Sequence, residues 1–176
     1  AYRAGAKVLA GMGLVLENSL YFHQASELAD FARALPELTI VLNHIGGLVR
    51  VGPYANRDEY VLPEWRKGIE LMAKCPNIVM KLGGVGQTRF AYGWDERDIP
   101  VGSEELAETL GPLMNHCIQQ FGPERCMFES NYPVDKISYS YNVLYNAFKR
   151  LSKAYSATER ANLFHDTAAR VYSIND

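Results

Sequence analysis

The chain lacks most of the features that would identify a function at once. No apolar run approaches the ~20 residues that a membrane-spanning helix needs. Its charge is nearly balanced, −2 over 176 residues. That removes the electrostatic footprint of a nucleic-acid or other polyanion binder. Cysteines are few: Cys75, Cys117 and Cys126 are odd in number and no two are close. They argue against a CxxC metal site and for reduced thiols in a cytoplasmic compartment. There is no phosphate loop, no GxGxxG, no HExxH and no GxSxG, so nucleotide cradles, zincin chemistry and a hydrolase serine elbow are disfavoured. Residues Ala1 to Leu16 carry Arg3 and Lys7, with no small-residue cleavage site before Glu17. They read as a helix leading into a strand, not as a signal peptide.

Alternation is what the chain does have. Leu14 to Leu20 reads as a strand, followed by a helix capped by Ser26 with Leu28, Phe31, Ala32 and Leu35 on one stripe and Pro36 as its stop. Thr39 to Leu42 is a short continuous apolar run, the pattern of a strand buried on both faces. A helix bearing Trp65, Ile69 and Met72 leads to a strand at Ile78 to Met80. A helix capped by Ser103 carries Leu106, Leu110, Leu113, Cys117 and Phe121, ends at Gly122-Pro123, and leads to a strand at Cys126 to Phe128. Tyr141 to Leu151 is a further helix. Ser156 and Glu159 have capping-box spacing at the start of the last one, which runs to Tyr172 with a break near Asp166. Strand–helix–strand units of this spacing predict a parallel α/β sheet, and the length fits a single domain over 1–176.

The connections are asymmetric. Helix-to-strand links are short, but Asn43 to Glu64 and Gly83 to Gly102 are long strand-to-helix loops, rich in Arg50, Tyr54, Arg57, Tyr60, Arg89, Tyr92, Trp94 and Asp95. The elaboration therefore lies at the carboxyl ends of the strands, where parallel α/β proteins place active sites.

Several side chains there could carry chemistry. His44 follows the apolar strand directly and is followed by Gly46-Gly47, which permit a sharp turn. It is a catalytic or ligand histidine, or a hydrogen-bonded turn residue. His23 follows the preceding strand. Neighbouring strands are ~4.8 Å apart, so His23 and His44 could share a metal or a substrate, or His23 could simply cap a helix. Glu129, Ser130, Asn131 and Asp135 follow the last strand, where carboxylates could activate water or bind a cation; a solvated loop looks the same. Lys81 interrupts a buried strand and needs a partner, whether inward-facing or snorkelling outward. His116 falls on the polar side of its helix and His165 at a helix junction, and neither is singled out for chemistry.

The runs TIVLNHIGG (39–47), PNIVMKLGG (76–84), FGPERCMFESNYPVDK (121–136) and TAARVYSI (167–174) resemble the amidohydrolase 2 family, which includes lactonases and related decarboxylases. The resemblance covers Tyr2 to Ile174. It implies strands five to eight of a (β/α)8 barrel of the TIM type, that is, a half barrel. It also implies His23 and His44 at the ends of strands five and six as ligands of a divalent metal, zinc or manganese. Gly83 and Gly84 would lie next to the substrate with Lys81, Arg50, Tyr54 and Trp94, and Asn131 with Glu129 and Asp135 would form the catalytic end of strand eight.

Two departures from the family pattern stand out. The chain has no HxH pair, and Asn131 occupies the place of the usual aspartate, where it cannot accept a proton at neutral pH. The expected activity is hydrolysis of a small lactone or other carboxylate-bearing ester or ring. The alternatives are decarboxylation on the same scaffold, or a catalytically silent barrel fragment serving as a binding or assembly module. A half barrel has two open edge strands and an inner face exposed to water. The chain is therefore expected to be part of a longer polypeptide, to pair with a missing N-terminal half, or to form a homo-oligomer.

Overall fold

The computed structural model describes residues 2–174. Helix α1 (Tyr2–Gly11) leads into β1 (Leu16–Asn18), α2 (Ala25–Arg33), β2 (Ile40–Leu42) and the single turn α3 (His44–Gly47). Then come α4 (Asp58–Ala73), β3 (Ile78–Leu82), α5 (Ser103–Phe121), β4 (Cys126–Phe128) and α6 (Tyr141–Leu151). The chain closes with α7 (Ala157–Ala161), a π-turn at Asn162–Asp166 and α8 (Thr167–Tyr172). All strand pairs are parallel in the order β1-β2-β3-β4, with Leu16, Ile40 and Ile78 in register.

One face of the sheet, carrying Ile40, Leu42, Ile78, Met80, Leu82 and Cys126, is buried in the large core with the apolar sides of α2, α4 and α5. Period-3.6 stripes on these helices meet the period-2 alternation of the strands, which is why the pattern was readable. The opposite face carries Glu17, Val41, Val79, Lys81 and Met127. Expected to face water, it is partly closed: Val41, Val79 and Met127 are buried beneath Val15 and the α8 residues Ala168, Val171 and Tyr172. The C-terminal helix supplies apolar cover that strand patterning alone could not reveal. β1 and β4 each pair on one side only, so the open edges are present.

Cap assignments differ locally. Ser26 lies inside α2, whose N-cap is Gln24, and Ser103 is the first residue of α5 after Gly102. The Ser103 hydroxyl instead accepts from Arg150 Nε at 3.2 Å. The Ser156–Glu159 capping box forms with both bonds, and the break near Asp166 is the π-turn. The three cysteines are free and buried. Among the described residues no helix is long and apolar enough to cross a membrane.

Candidate active site

The site begins with a backbone turn. From His44 to Gly47 all four residues have positive φ: 56°, 48°, 71° and 69°. His44 and Ile45 are non-glycine residues in the left-handed region, which costs of order 1–3 kcal/mol each. The surroundings enforce the turn. Trp65 Nε1 donates to the Ile45 carbonyl at 2.7 Å. Gly47 sits so close to the end of β1 that a Cβ there would lie 1.7 Å from the Leu20 carbonyl oxygen.

The turn aims His44 across the sheet at Glu129, the residue after β4. Nδ1 lies 2.6 Å from Glu129 Oε1, and the His44 backbone N–H donates to the same oxygen at 3.2 Å. Glu129 is itself tethered by its N–H to the Leu82 carbonyl at 3.3 Å. With Nδ1–H donating to the carboxylate, a neutral ring presents Nε2 as its open acceptor, the arrangement of a general base or metal ligand. Gly83 and Gly84 make the pair possible. A Cβ on Gly84 would lie 2.0 Å from His44 Nδ1, and one on Gly83 2.2 Å from the Glu129 carbonyl oxygen. The ends of strands β2, β3 and β4 thus contribute histidine, clearance and carboxylate at one end of the sheet.

Asp135 is fully buried and accepts from Gly86 N–H at 2.9 Å, Tyr139 OH at 2.7 Å and Asn131 Nδ2 at 2.7 Å. It ties the loop after β4 to the loop after β3. Burial first, and then the Asp135 charge, pushes the Tyr139 phenol far above its ordinary range, so that phenol stays a donor. His23 lies on an exposed turn after β1. Its Nδ1 is 3.3 Å from Tyr54 OH, and its ring stacks on Tyr21 and Tyr54. His23 and Tyr54 are therefore brought together, while His44 is committed to Glu129.

The remaining sequence candidates have partners of their own. Arg50 is bidentate to Asp58, bonds the Phe90 carbonyl and lies over Tyr92. It clamps the two long loops together, and the pairing raises the Arg50 pKa and lowers that of Asp58. Lys81 faces inward and donates to both Glu17 oxygens at 2.9 Å, with Tyr172 OH on the same carboxylate at 2.7 Å. Burial opposes the Lys81 charge, but these hydrogen bonds outweigh it and its pKa stands above the ordinary value. Trp94 is buried against Tyr92, ring centroids 4.3 Å apart.

Sequence reasoning had placed Arg89 in an aromatic loop without a role. It is half-buried, its Nε is buried with no hydrogen-bond partner, and its charge lies within reach of Tyr21, Asp135 and Glu129. Burial lowers its pKa. With that Nε–H unspent, the guanidinium has a donor left that is suited to a carboxylate. The signal that could have found it is its position seven residues past the end of β3, in the long carboxyl-end loop. His116, expected on a polar helix side, is instead buried against Trp65 with Nε2 unpartnered. The α4–α5 contact closes over it.

Among the described residues, no group of three or more His, Cys, Asp or Glu side chains is placed to hold a metal ion.

The described strands form a parallel sheet with a histidine–carboxylate pair at its carboxyl ends. The amidohydrolase family model matches residues 2–174, and the chain belongs to that family. It is 36% identical over 173 residues to the uncharacterized protein y4mH of Sinorhizobium fredii, across 98% of this chain and 52% of that protein. To the L-fucono-1,5-lactonase of Burkholderia multivorans it is 28% identical over 156 residues, 82% of this chain and 49% of the lactonase. An amidohydrolase structure from Burkholderia multivorans with bound zinc superimposes with a TM-score of 0.83 at 24% identity, over 99% of this chain and 57% of that one. That likeness is one of fold, and the four strands correspond to half of a TIM barrel. The chain spans about half the length of the curated relatives it matches.

Proposed function

We propose that the chain carries half of the active site of a hydrolase acting on a small lactone, or on another carboxylate-bearing ester or ring. The observation that carries this reading is the 2.6 Å His44–Glu129 contact, held over two glycines with Nε2 left open. In the proposed reaction His44 Nε2 takes the proton of a water, and Glu129 stabilises the imidazolium that forms. Asn131 donates its amide to Asp135, and its oxygen orients that water. Arg89 receives the substrate carboxylate. A divalent metal, zinc or manganese, would supply Lewis-acid polarisation of the carbonyl. The residues of this chain do not complete a metal site by themselves, since catalytic sites commonly use three protein ligands and no such group is present among the described residues. Of the two histidines expected as ligands, His44 uses Nε2 as the base in this reaction, which leaves His23 as this chain's share. The missing donors would come from the other half of the barrel, in a longer polypeptide or a paired chain. The similarity to the lactonase supports the lactone over other substrates.

A second reading, a catalytically silent binding module, is favoured by that incomplete donor set and by the asparagine at 131. The test is lactone hydrolysis followed by acid release, with and without added zinc or manganese, for the chain supplied with the missing half of the barrel, wild type and His44→Asn. Turnover that falls ~10²–10⁴-fold in the variant supports the base. No turnover by that assembled barrel under any metal condition favours the silent module.

A further inference from the structure

A cleft of about 630 Å³ lies between the loop after β3 and the start of α6. It is lined by Trp94, Tyr132, Tyr139 and Tyr141, with Ile137 and Lys136 also on its wall. Neither His44, Glu129 nor Arg89 lines it. Its size falls within the ~300–1,000 Å³ of small-molecule sites. The buried Asp135 carboxylate and its donor Tyr139 stand behind its wall.

The lining selects a chemistry. The Tyr132 hydroxyl donates to the Tyr139 carbonyl, the Ser138 hydroxyl to the Gly86 carbonyl and the Tyr139 hydroxyl to Asp135. The walls therefore present ring surface with few open hydroxyls. A polyhydroxylated sugar would find partners only at Asp95, Lys136, Ser140 and Asn142 and none on the ring walls, which is costly. A flat apolar ring system has no hydroxyls to pair, and would gain stacking with the aromatic walls. Ile137 and Tyr141 are large apolar residues that remain about half exposed, 54% and 47%, so an occupant would cover them. The charged groups are Asp95, Arg97 and Lys136. Arg97 is neutralised by Glu105, with contacts of 3.0 and 2.8 Å. Lys136 has no partner among the described residues. The first turn of α6, Tyr141 to Val143, also lines the cleft, and its positive dipole end favours an anion.

We propose that this cleft is a second binding site, separate from His44–Glu129, for a planar aromatic carboxylate of two or more rings. The ring system lies among Trp94, Tyr132 and Tyr141, and the carboxylate meets Lys136 and the α6 N-terminus.

The probe is 2-naphthoate, titrated against the whole chain by tryptophan fluorescence and by calorimetry, with 2-naphthylmethanol as the neutral analogue. Saturable naphthoate binding is expected, weaker by tenfold or more for the alcohol. Lys136→Glu and Tyr141→Ala, both at exposed positions, should each weaken naphthoate at least tenfold, while Arg89→Gln leaves it unchanged. Three results would overturn the proposal: no saturable binding up to millimolar probe, equal binding by Lys136→Glu and wild type, or loss in Arg89→Gln with retention in Lys136→Glu. The last would put the probe in the His44–Glu129 mouth.

Discussion

At the amino ends of the strands, polar side chains are consumed in holding backbone. Asn77 Nδ2 lies 3.0–3.1 Å from the carbonyls of Ala32, Leu35 and Leu38. Arg125 donates to those of Phe121, Cys75 and Ala73. At the carboxyl ends the bookkeeping is left open. Arg89 Nε and Asn43 Oδ1 are buried without partners, His44 offers Nε2, and the backbone holds a run of positive φ. Most buried polar groups are satisfied, and His116 Nε2, free between α4 and α5, belongs to neither end. The contrast sets an end whose polar side chains hold backbone against an end that leaves some of them free, which is the side where parallel barrels generally bind ligands.

Substitutions should break that comparison in opposite ways. Glu129→Gln removes the anion that orients and stabilises His44. It is expected to lower hydrolysis by ~10²–10⁴-fold with a melting temperature close to wild type. A matching loss of stability would make Glu129 a structural residue. Arg125→Met, at the other end, leaves several carbonyls unpaired and should cost ~2–4 kcal/mol of unfolding free energy by denaturant titration. Unchanged stability there would erase the proposed division. Arg89→Gln sharpens the difference. For a carboxylate-bearing lactone KM should rise about tenfold, which is ~1.4 kcal/mol, with kcat and the KM of a neutral lactone unchanged. Stability should hold or rise, because a half-buried cation whose Nε has no hydrogen-bond partner is removed.

The smallest effect concerns pH and lies outside both ends. Burial holds the His116 imidazole below its ordinary value of 6.5. In the unfolded chain it protonates first as pH falls, so stability is full above about 6.5 and declines as pH drops from there through the lower folded-state value. His116→Phe should flatten that slope in thermal melts between pH 7 and 5. An unchanged slope would assign it to other groups.

Much of the fold was legible because strand and helix periods are local. The apolar runs Thr39 to Leu42, Ile78 to Met80 and Cys126 to Phe128 fall on the strands observed, Ile40–Leu42, Ile78–Leu82 and Cys126–Phe128, and the stripe through Leu106, Leu110 and Cys117 is buried. Helix starts were less legible. Ser26 and Ser103 look like caps by residue type, yet capping depends on where the backbone leaves the extended region, and that happens one or two residues earlier. At the site, His44, Glu129, Gly83 and Gly84 were visible as strand-end residues. Their mutual contact was not, since it joins residues 85 positions apart. Lys81 and Arg50 looked equally available in sequence, and only their folded partners, Glu17 and Asp58, show that each already holds a carboxylate. Arg89 was the reverse case, one arginine among several until burial left its Nε without a partner.

By itself the sequence determined the parallel α/β class and the family, because hydrophobic period and motif order are carried along the chain. Tertiary structure decided which polar groups pair across it, that α8 covers part of the inner face, and that no three metal donors meet among the described residues. Pairing and coverage depend on distances of a few ångströms between segments far apart in sequence, and no local pattern encodes those distances.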